Sequence, residues 1–317
     1  MSAQNTRVLP FGPEAVAEAA RLIAAGDVVA VPTETVYGLA ADATRAEAIE
    51  RIYEAKRRPR RNPLIVHVAS LDEAQSIADM SSAALSLARA WWPGPLTMVL
   101  PLREGHPISA AALAGNETIA LRMPRHPAMQ ALLAASGKPL AAPSANASGG
   151  ISPTRAEHVL ASLDGRIPLI LDGGPTERGL ESTIVAVDGD GMRLLRPGPI
   201  SFEGLADTSG PSTDGRLEAP GRLASHYAPA KPVRLEAVSA DPDEWLIGFG
   251  PVAGDYNLSR SGDLDEAAAR LFDALHRADR QPRRAIAVAP IPNHGIGLAI
   301  NDRLRRAAAP RGESRCR

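Results

Sequence analysis

Five basic residues crowd into the six positions Lys56-Arg57-Arg58-Pro59-Arg60-Arg61, followed by Asn62-Pro63. Proline disfavours helix in the residue before it, so a preceding helix is expected to end near Arg58. The charges would then gather on a loop that enters a buried strand. Like charges this close repel one another unless an anion neutralises them, so the cluster reads as a polyphosphate clamp. Lys56 would act as a compact point charge and Arg58 as a bidentate fork. Charge-assisted hydrogen bonds contribute roughly 1.5–3 kcal/mol each, so three would hold a nucleoside triphosphate at about micromolar affinity. A solvated charge run is the alternative. The chain holds three lysines, Lys56, Lys138 and Lys231, against 32 arginines. A lysine kept in such a background marks a place that needs an ammonium, unless its survival is chance.

Two further segments carry candidate chemistry. In PSANASGGISPT (143–154), small hydroxyls, an amide and two glycines follow an apolar strand. Glycines let backbone N–H groups approach a ligand, and a helix start favours an anion. The spacing is neither that of a P-loop nor that of a dinucleotide fingerprint, and an ordinary turn before a capped helix is the alternative. In PTETVYGL (32–39), hydroxyls and a carboxylate stand at a strand end, where they could grip a small polar substrate such as an amino acid; packing within a sheet is the alternative. Arg122 inside TIALRMP needs an anionic partner if buried, either a substrate or an internal carboxylate. His67 in LIVHV reads first as a satisfied core histidine and second as a ligand. No His-x-x-x-His, cysteine pair or nucleophile elbow appears, which leaves zinc and covalent catalysis unsupported.

The elements that must position these residues alternate between short apolar runs and amphipathic helices. Helices are expected over 13–25, ending at Gly26, and over 83–91, 127–136 and 153–162, the last with Ser152 as cap and Pro153 at its first position. Thr44 to Glu47 and Ser70 to Glu73 read as capping boxes. Strands are expected at 27–32, 62–68, 96–102, 118–124, 139–145, 168–173 and 182–188. The last two are joined too briefly for a helix, which argues for an antiparallel part of the sheet. Residues 203–232 are rich in Gly, Pro, Ser and Asp and read as a linker. After them come a strand at 245–250, a helix capped by Asp263, a strand at 285–291 and a helix near 297–308.

At 317 residues the chain suits two domains. With 35 basic and 36 acidic residues and 3% aromatics, it lacks both the basic excess of a general nucleic-acid binder and a base-stacking platform. A double-stranded RNA-binding module gripping phosphates with the basic loop is therefore the weaker reading. The single cysteine, Cys316, offers no disulfide framework or metal site, and MSAQNTRVLP does not read as a leader. A cytoplasmic chain without membrane spans is expected.

Taken together, PTETVYGL, Lys56-x-Arg58, NPLIVH (62–67), WPGPLT (92–97), RMP (122–124), PSAN with SGGISPT, ESTI (181–184) and RPG (196–198) resemble the YrdC-like domain, in family order. With HYAP (226–229) and GIGLAINDRLRRAA (295–308), the chain resembles the long form of the threonylcarbamoyl-AMP synthase family. The resemblance implies an α/β fold: an open twisted mixed sheet with flanking helices over 1–205, a linker over 206–235, and a smaller Rossmann-like α/β domain over 236–317. It implies condensation of L-threonine, bicarbonate and ATP to threonylcarbamoyl-AMP and pyrophosphate for tRNA modification, with Mg²⁺ carried by the phosphates and no protein-bound metal. The family's K-x-R motif puts the catalytic weight on Lys56 and Arg58. They fall on the ATP side with Asn62, Thr118, Ser144, Asn146, Ser152, Arg196 and Tyr227. Thr35, His67, Arg122 and Ser182 fall where threonine is held. Proteins that transfer the threonylcarbamoyl group to tRNA would be downstream partners, and weak contact with tRNA is left open. A carbamoyl-transferring relative is the rival within this fold, but such relatives usually carry cysteine-rich zinc segments.

Overall fold

Val29 and Val31 face one side of the strand that follows the first helix, while Ala30 faces the other. This is the period-2 pattern of a strand buried on both faces. The computed structural model describes residues 5–202, 219 and 226–310. It begins with β1 (Arg7–Pro10), α1 (Pro13–Ala24), β2 (Val29–Pro32) and β3 (Tyr37–Asp42). Next come α2 (Ala46–Lys56), β4 (Ile65–His67), α3 (Leu71–Ile77), α4 (Ser82–Trp91), β5 (Leu96–Pro101) and α5 (Ala110–Leu113). Then follow β6 (Thr118–Arg122), α6 (Pro127–Ser136), β7 (Leu140–Ala141), α7 (Ala156–Leu163), β8 (Leu169–Asp172), β9 (Thr183–Asp188) and β10 (Gly191–Arg196).

These strands form one mixed sheet in the order β1-β8-β2-β3-β7-β4-β6-β5-β9-β10. Helices cover both faces: α1 and α6 pack on one through Ile23, Met129 and Leu133, and α2, α4 and α7 on the other through Ile52, Ala88 and Val159. The sheet is mixed as expected, though not for the expected reason. Strands β8 and β9 are not neighbours; β8 lies between β1 and β2, and β9 between β5 and β10. The antiparallel pairs are β2–β3, β3–β7, β4–β7, β5–β6 and β9–β10.

The Ser70 box forms: Ser70 accepts from the Glu73 N–H, and the Glu73 carboxylate accepts from the Ala69 N–H. The Thr44 box does not, because Asp42 captures both the Thr44 hydroxyl and its N–H, leaving Arg45 as an uncapped start of α2. Ser152 caps no helix either. Its hydroxyl is taken by Glu181, and α7 starts only after Arg155.

A second, smaller unit follows: β11 (Val233–Arg234), β12 (Glu244–Gly248), β13 (Tyr256–Asn257), α8 (Leu264–Arg280), β14 (Ala285–Val288) and α9 (Gly297–Ala308). Its sheet is parallel throughout, in the order β11-β14-β12-β13. Asp263 caps α8, accepting from the Glu266 N–H. The two units share apolar core, since Val36, Ile151 and Leu180 of the first pack among Leu271, Phe272 and Ile300 of the second. Most of the expected linker, and Cys316, lie outside the described residues.

Candidate active site

The basic loop is not a uniform charge run. Helix α2 ends at Lys56, and Arg57 takes the left-handed conformation at φ 51, which turns the chain sharply. The result is an alternation. Lys56 and Arg58 are buried, while Arg57, Arg60 and Arg61 are exposed, and Arg60 is paired with Glu50.

Lys56 reaches the PSAN loop and donates its ammonium hydrogens to the carbonyls of Ser144 and Asn146, while its own carbonyl accepts from the Ser148 N–H. That loop runs alongside the PTETVYGL segment: Leu39 N–H donates to the Pro143 carbonyl, Ala145 N–H to that of Tyr37, and Tyr37 N–H to that of Pro153. The three motifs are therefore sewn together by backbone hydrogen bonds. Arg58 is anchored by the carbonyls of Asn62 and Pro63 at 3.2 and 2.9 Å and lines the neighbouring cavity.

This cavity has a free interior of about 50 Å³. It lies between Thr35, Arg58, His67, Arg122, Ser144, Ser182 and Arg196 of the first unit and His226 and Tyr227 of HYAP. Arg196 donates to the carbonyl of Ser182 and to its hydroxyl at 3.1 Å. The RPG glycine is required here, because a Cβ on Gly198 would meet the Thr183 nitrogen at 2.4 Å. Arg122 pairs with Glu34 at 2.8 Å and donates to the Thr35 hydroxyl at 2.9 Å and to the Gly94 carbonyl at 3.2 Å. Thr35 is thereby oriented: the Thr33 hydroxyl donates to the Val36 carbonyl, so Thr35 donates to Thr33 and accepts from Arg122.

Charge balance divides these cations. Burial opposes ionisation of Glu34, but Arg122 outweighs it and holds the carboxyl below its ordinary value. Lys56, Arg58 and Arg196 have no carboxylate within ion-pair distance among the described residues. Burial, then Arg58, pushes the Lys56 ammonium well below its usual range, and burial brings Arg58 down to about 10. Burial and the adjoining Arg122 lower His67 to about 3, so its ring is neutral at neutral pH. His226 is likewise held neutral by burial and by Arg58, Lys56, Arg196 and Arg303 around it.

Several polar atoms here find no hydrogen-bond partner among the described residues: both side-chain polar atoms of Asn62, both ring nitrogens of His67, Asn146 Oδ1, His226 Nδ1 and the Tyr227 hydroxyl. Buried polar groups are rarely left unpaired, so such a concentration points to a polar ligand. His67 is not the satisfied core histidine that the sequence first suggests. Of the expected residues, Thr35, Arg58, His67, Arg122, Ser144, Ser182, Arg196 and Tyr227 line the cavity. Lys56, Asn146 and Ser152 support its walls from behind, and Asn62 lies buried beside Arg58. Thr118 is half-buried at the start of β6, where the parallel register of Ile65 with Ala120 sets it beside Pro63, whose carbonyl anchors Arg58. Sequence reasoning missed Arg303, which the tail motif contains but whose reach to Glu181 only packing reveals.

Residues 21–198 match the Sua5/YciO/YrdC family model, "Telomere recombination", and residues 195–309 match "Threonylcarbamoyl-AMP synthase, C-terminal domain". The chain is 41% identical to the threonylcarbamoyl-AMP synthase of Bacillus subtilis, over 93% of each chain. The chain belongs to the threonylcarbamoyl-AMP synthase family. The family enzyme of Pyrococcus abyssi is 38% identical, over 92% of this chain and 94% of its own. The solved structure of P. abyssi Sua5 complexed with L-threonine superposes with a TM-score of 0.86 at 36% identity, covering 95% of this chain and 96% of that one. Fold and two-part organisation are thus those of the family.

Proposed function

We propose that the chain condenses L-threonine, bicarbonate and ATP into threonylcarbamoyl-AMP and pyrophosphate. The observation that carries this reading is the set of three buried cations, Lys56, Arg58 and Arg196, with no carboxylate partner among the described residues and a common cavity beside them. Polyphosphate would neutralise them. The threonine subsite would lie by Thr35, His67, Arg122 and Ser182, with Asn62, Ser144, Asn146, Ser152 and Tyr227 on the nucleotide side. Thr118, beside the segment that anchors Arg58, would stand on the nucleotide side with them.

In the reaction, the threonine amine bonds to the bicarbonate carbon with loss of water, giving a carbamate. A carbamate oxygen then bonds to the α-phosphorus as the bond to the β-phosphate oxygen breaks, and pyrophosphate leaves with that electron pair. No side chain becomes covalently attached. His67, low in basicity, serves as a hydrogen-bonding group rather than as a base. The protein contributes positioning and fixed positive charge at the phosphates. Mg²⁺, riding on the phosphate oxygens, would add to that neutralisation; the nearby carboxylates Glu34 and Glu181 are already held by Arg122 and Arg303.

The product is a reactive mixed anhydride, which calls for a downstream protein that transfers the threonylcarbamoyl group to tRNA; weak contact with that tRNA would accompany transfer. Among the described residues no helix is long and apolar enough to cross a membrane, and a cytoplasmic site fits the reaction. Mass spectrometry of protein mixed with ATP, bicarbonate and threonine tests the proposal. The anhydride should appear only when all three are present, and its absence from the complete mixture would refute the reading.

A further inference from the structure

Arg303 on α9 is completely buried where the small unit meets the large one. Its Nε donates to Glu181 Oε2 at 2.9 Å, and its Nη1 donates to the Pro197 carbonyl and to Asp302 Oδ2, each at 2.9 Å. Its guanidinium lies over the Tyr227 ring at 5.3 Å. One side chain of the second unit therefore touches three segments that border the cavity: the ESTI turn, the RPG turn and HYAP.

Glu181 is the one carboxylate among the described residues that line the cavity, and it shares that cavity with Arg58 and Arg196. Both of its oxygens are occupied, Oε1 by the Ser152 hydroxyl and Oε2 by Arg303. The small unit also reaches Glu181's partner Ser152, because His276 Nε2 on α8 lies 3.2 Å from the Ser152 carbonyl. Arg196 already hydrogen-bonds Ser182, the next residue along, and feels the Glu181 charge. Released from α9, Glu181 would have Arg196 as its nearest cation, and an ion pair between them would compete with phosphate.

We propose that Arg303 is a positioning residue for the reaction, supplied by the small unit to hold Glu181 away from the phosphate-binding cations. The inference rests on the ATP-dependent reading above. It makes the second unit responsible for keeping the anion site unneutralised.

The test compares full-length wild type with Arg303→Gln, Arg303→Lys, Glu181→Gln and the double variant Arg303→Gln/Glu181→Gln, measuring kcat and KM for ATP and for threonine. Arg303→Gln should raise KM for ATP by about tenfold or more, with a change in the threonine KM of at most about twofold. Adding Glu181→Gln should recover most of that loss, because the competing carboxylate is gone; a merely structural role predicts a double variant at least as impaired as the single. Arg303→Lys keeps the charge but not the fork and should fall between. A double variant no better than Arg303→Gln, or an unchanged ATP KM in Arg303→Gln, overturns the proposal. If Arg303→Gln does not fold, an ATP KM for Arg303→Lys equal to wild type overturns it, and a raised KM that Glu181→Gln relieves supports it. Wild type that forms no product would sink the reaction instead. Calorimetric binding of a non-hydrolysable ATP analogue to the same proteins would then decide this inference by the same pattern.

Discussion

Two sets of buried cations meet at one cavity, and their surroundings treat them in opposite ways. Arg122 and Arg303 have carboxylates, Glu34 for the first and Glu181 with Asp302 for the second. Lys56, Arg58 and Arg196 have only carbonyls and a hydroxyl. For Arg303, burial opposes the charge but Tyr227, Glu181 and Asp302 outweigh it and raise its pKa; for Lys56, Arg58 and Arg196, burial wins and lowers it. Paired charges of this kind are costly to break, whereas unpaired ones are costly to keep. The first set therefore holds the architecture, and the second is maintained for an anion.

Breaking a paired cation gives the largest expected effect. Glu34→Ala leaves Arg122 buried without its counter-charge and should cost about 3–5 kcal/mol of stability, read as a shifted denaturation midpoint. Removing an unpaired cation should do the reverse. Arg58→Met should lower product formation by at least about tenfold, the worth of one charge-assisted bond, with stability unchanged or increased. A variant that lost both activity and stability in proportion would erase the distinction between the two sets.

Acid should sharpen it further. The folded pKa values of His67 and His276, about 3 and about 4, lie below the unfolded value near 6.5. The unfolded chain thus binds protons that the folded chain does not. Stability is complete above about pH 6.5 and falls as pH drops toward 3, by up to about 1.4 kcal/mol per pH unit for each such histidine. His276→Gln should flatten the slope between about pH 4 and 6.5, and an unchanged slope would contradict the assignment.

Much of this was legible in the sequence where the signal is local. Helix α1 carries its own apolar spacing and stops before Gly26, helix α8 carries its Asp263 cap, and the Ser70 box needs only its own turn. Thr44 and Ser152 misled because a stronger acceptor, Asp42 or Glu181, arrives from elsewhere in the chain or the fold. Strand β3 hid within a motif read for its hydroxyls, and short β1 and β10 are strands only by virtue of their partners β8 and β9. The expected pairing of β8 with β9 failed because the short segment between them crosses the site instead of turning. Among the site residues, the K-x-R and S-x-N motifs gave their types and order. That Lys56 stands behind the wall while Arg58 faces the cavity depends on the left-handed turn at Arg57.

Calorimetric titration of wild type and Arg58→Met with a non-hydrolysable ATP analogue addresses the unpaired cations directly. The analogue should bind wild type at about micromolar affinity and lose at least about tenfold in the variant, with affinity falling as salt rises. Equal binding by both proteins would contradict the assignment of these charges to phosphate.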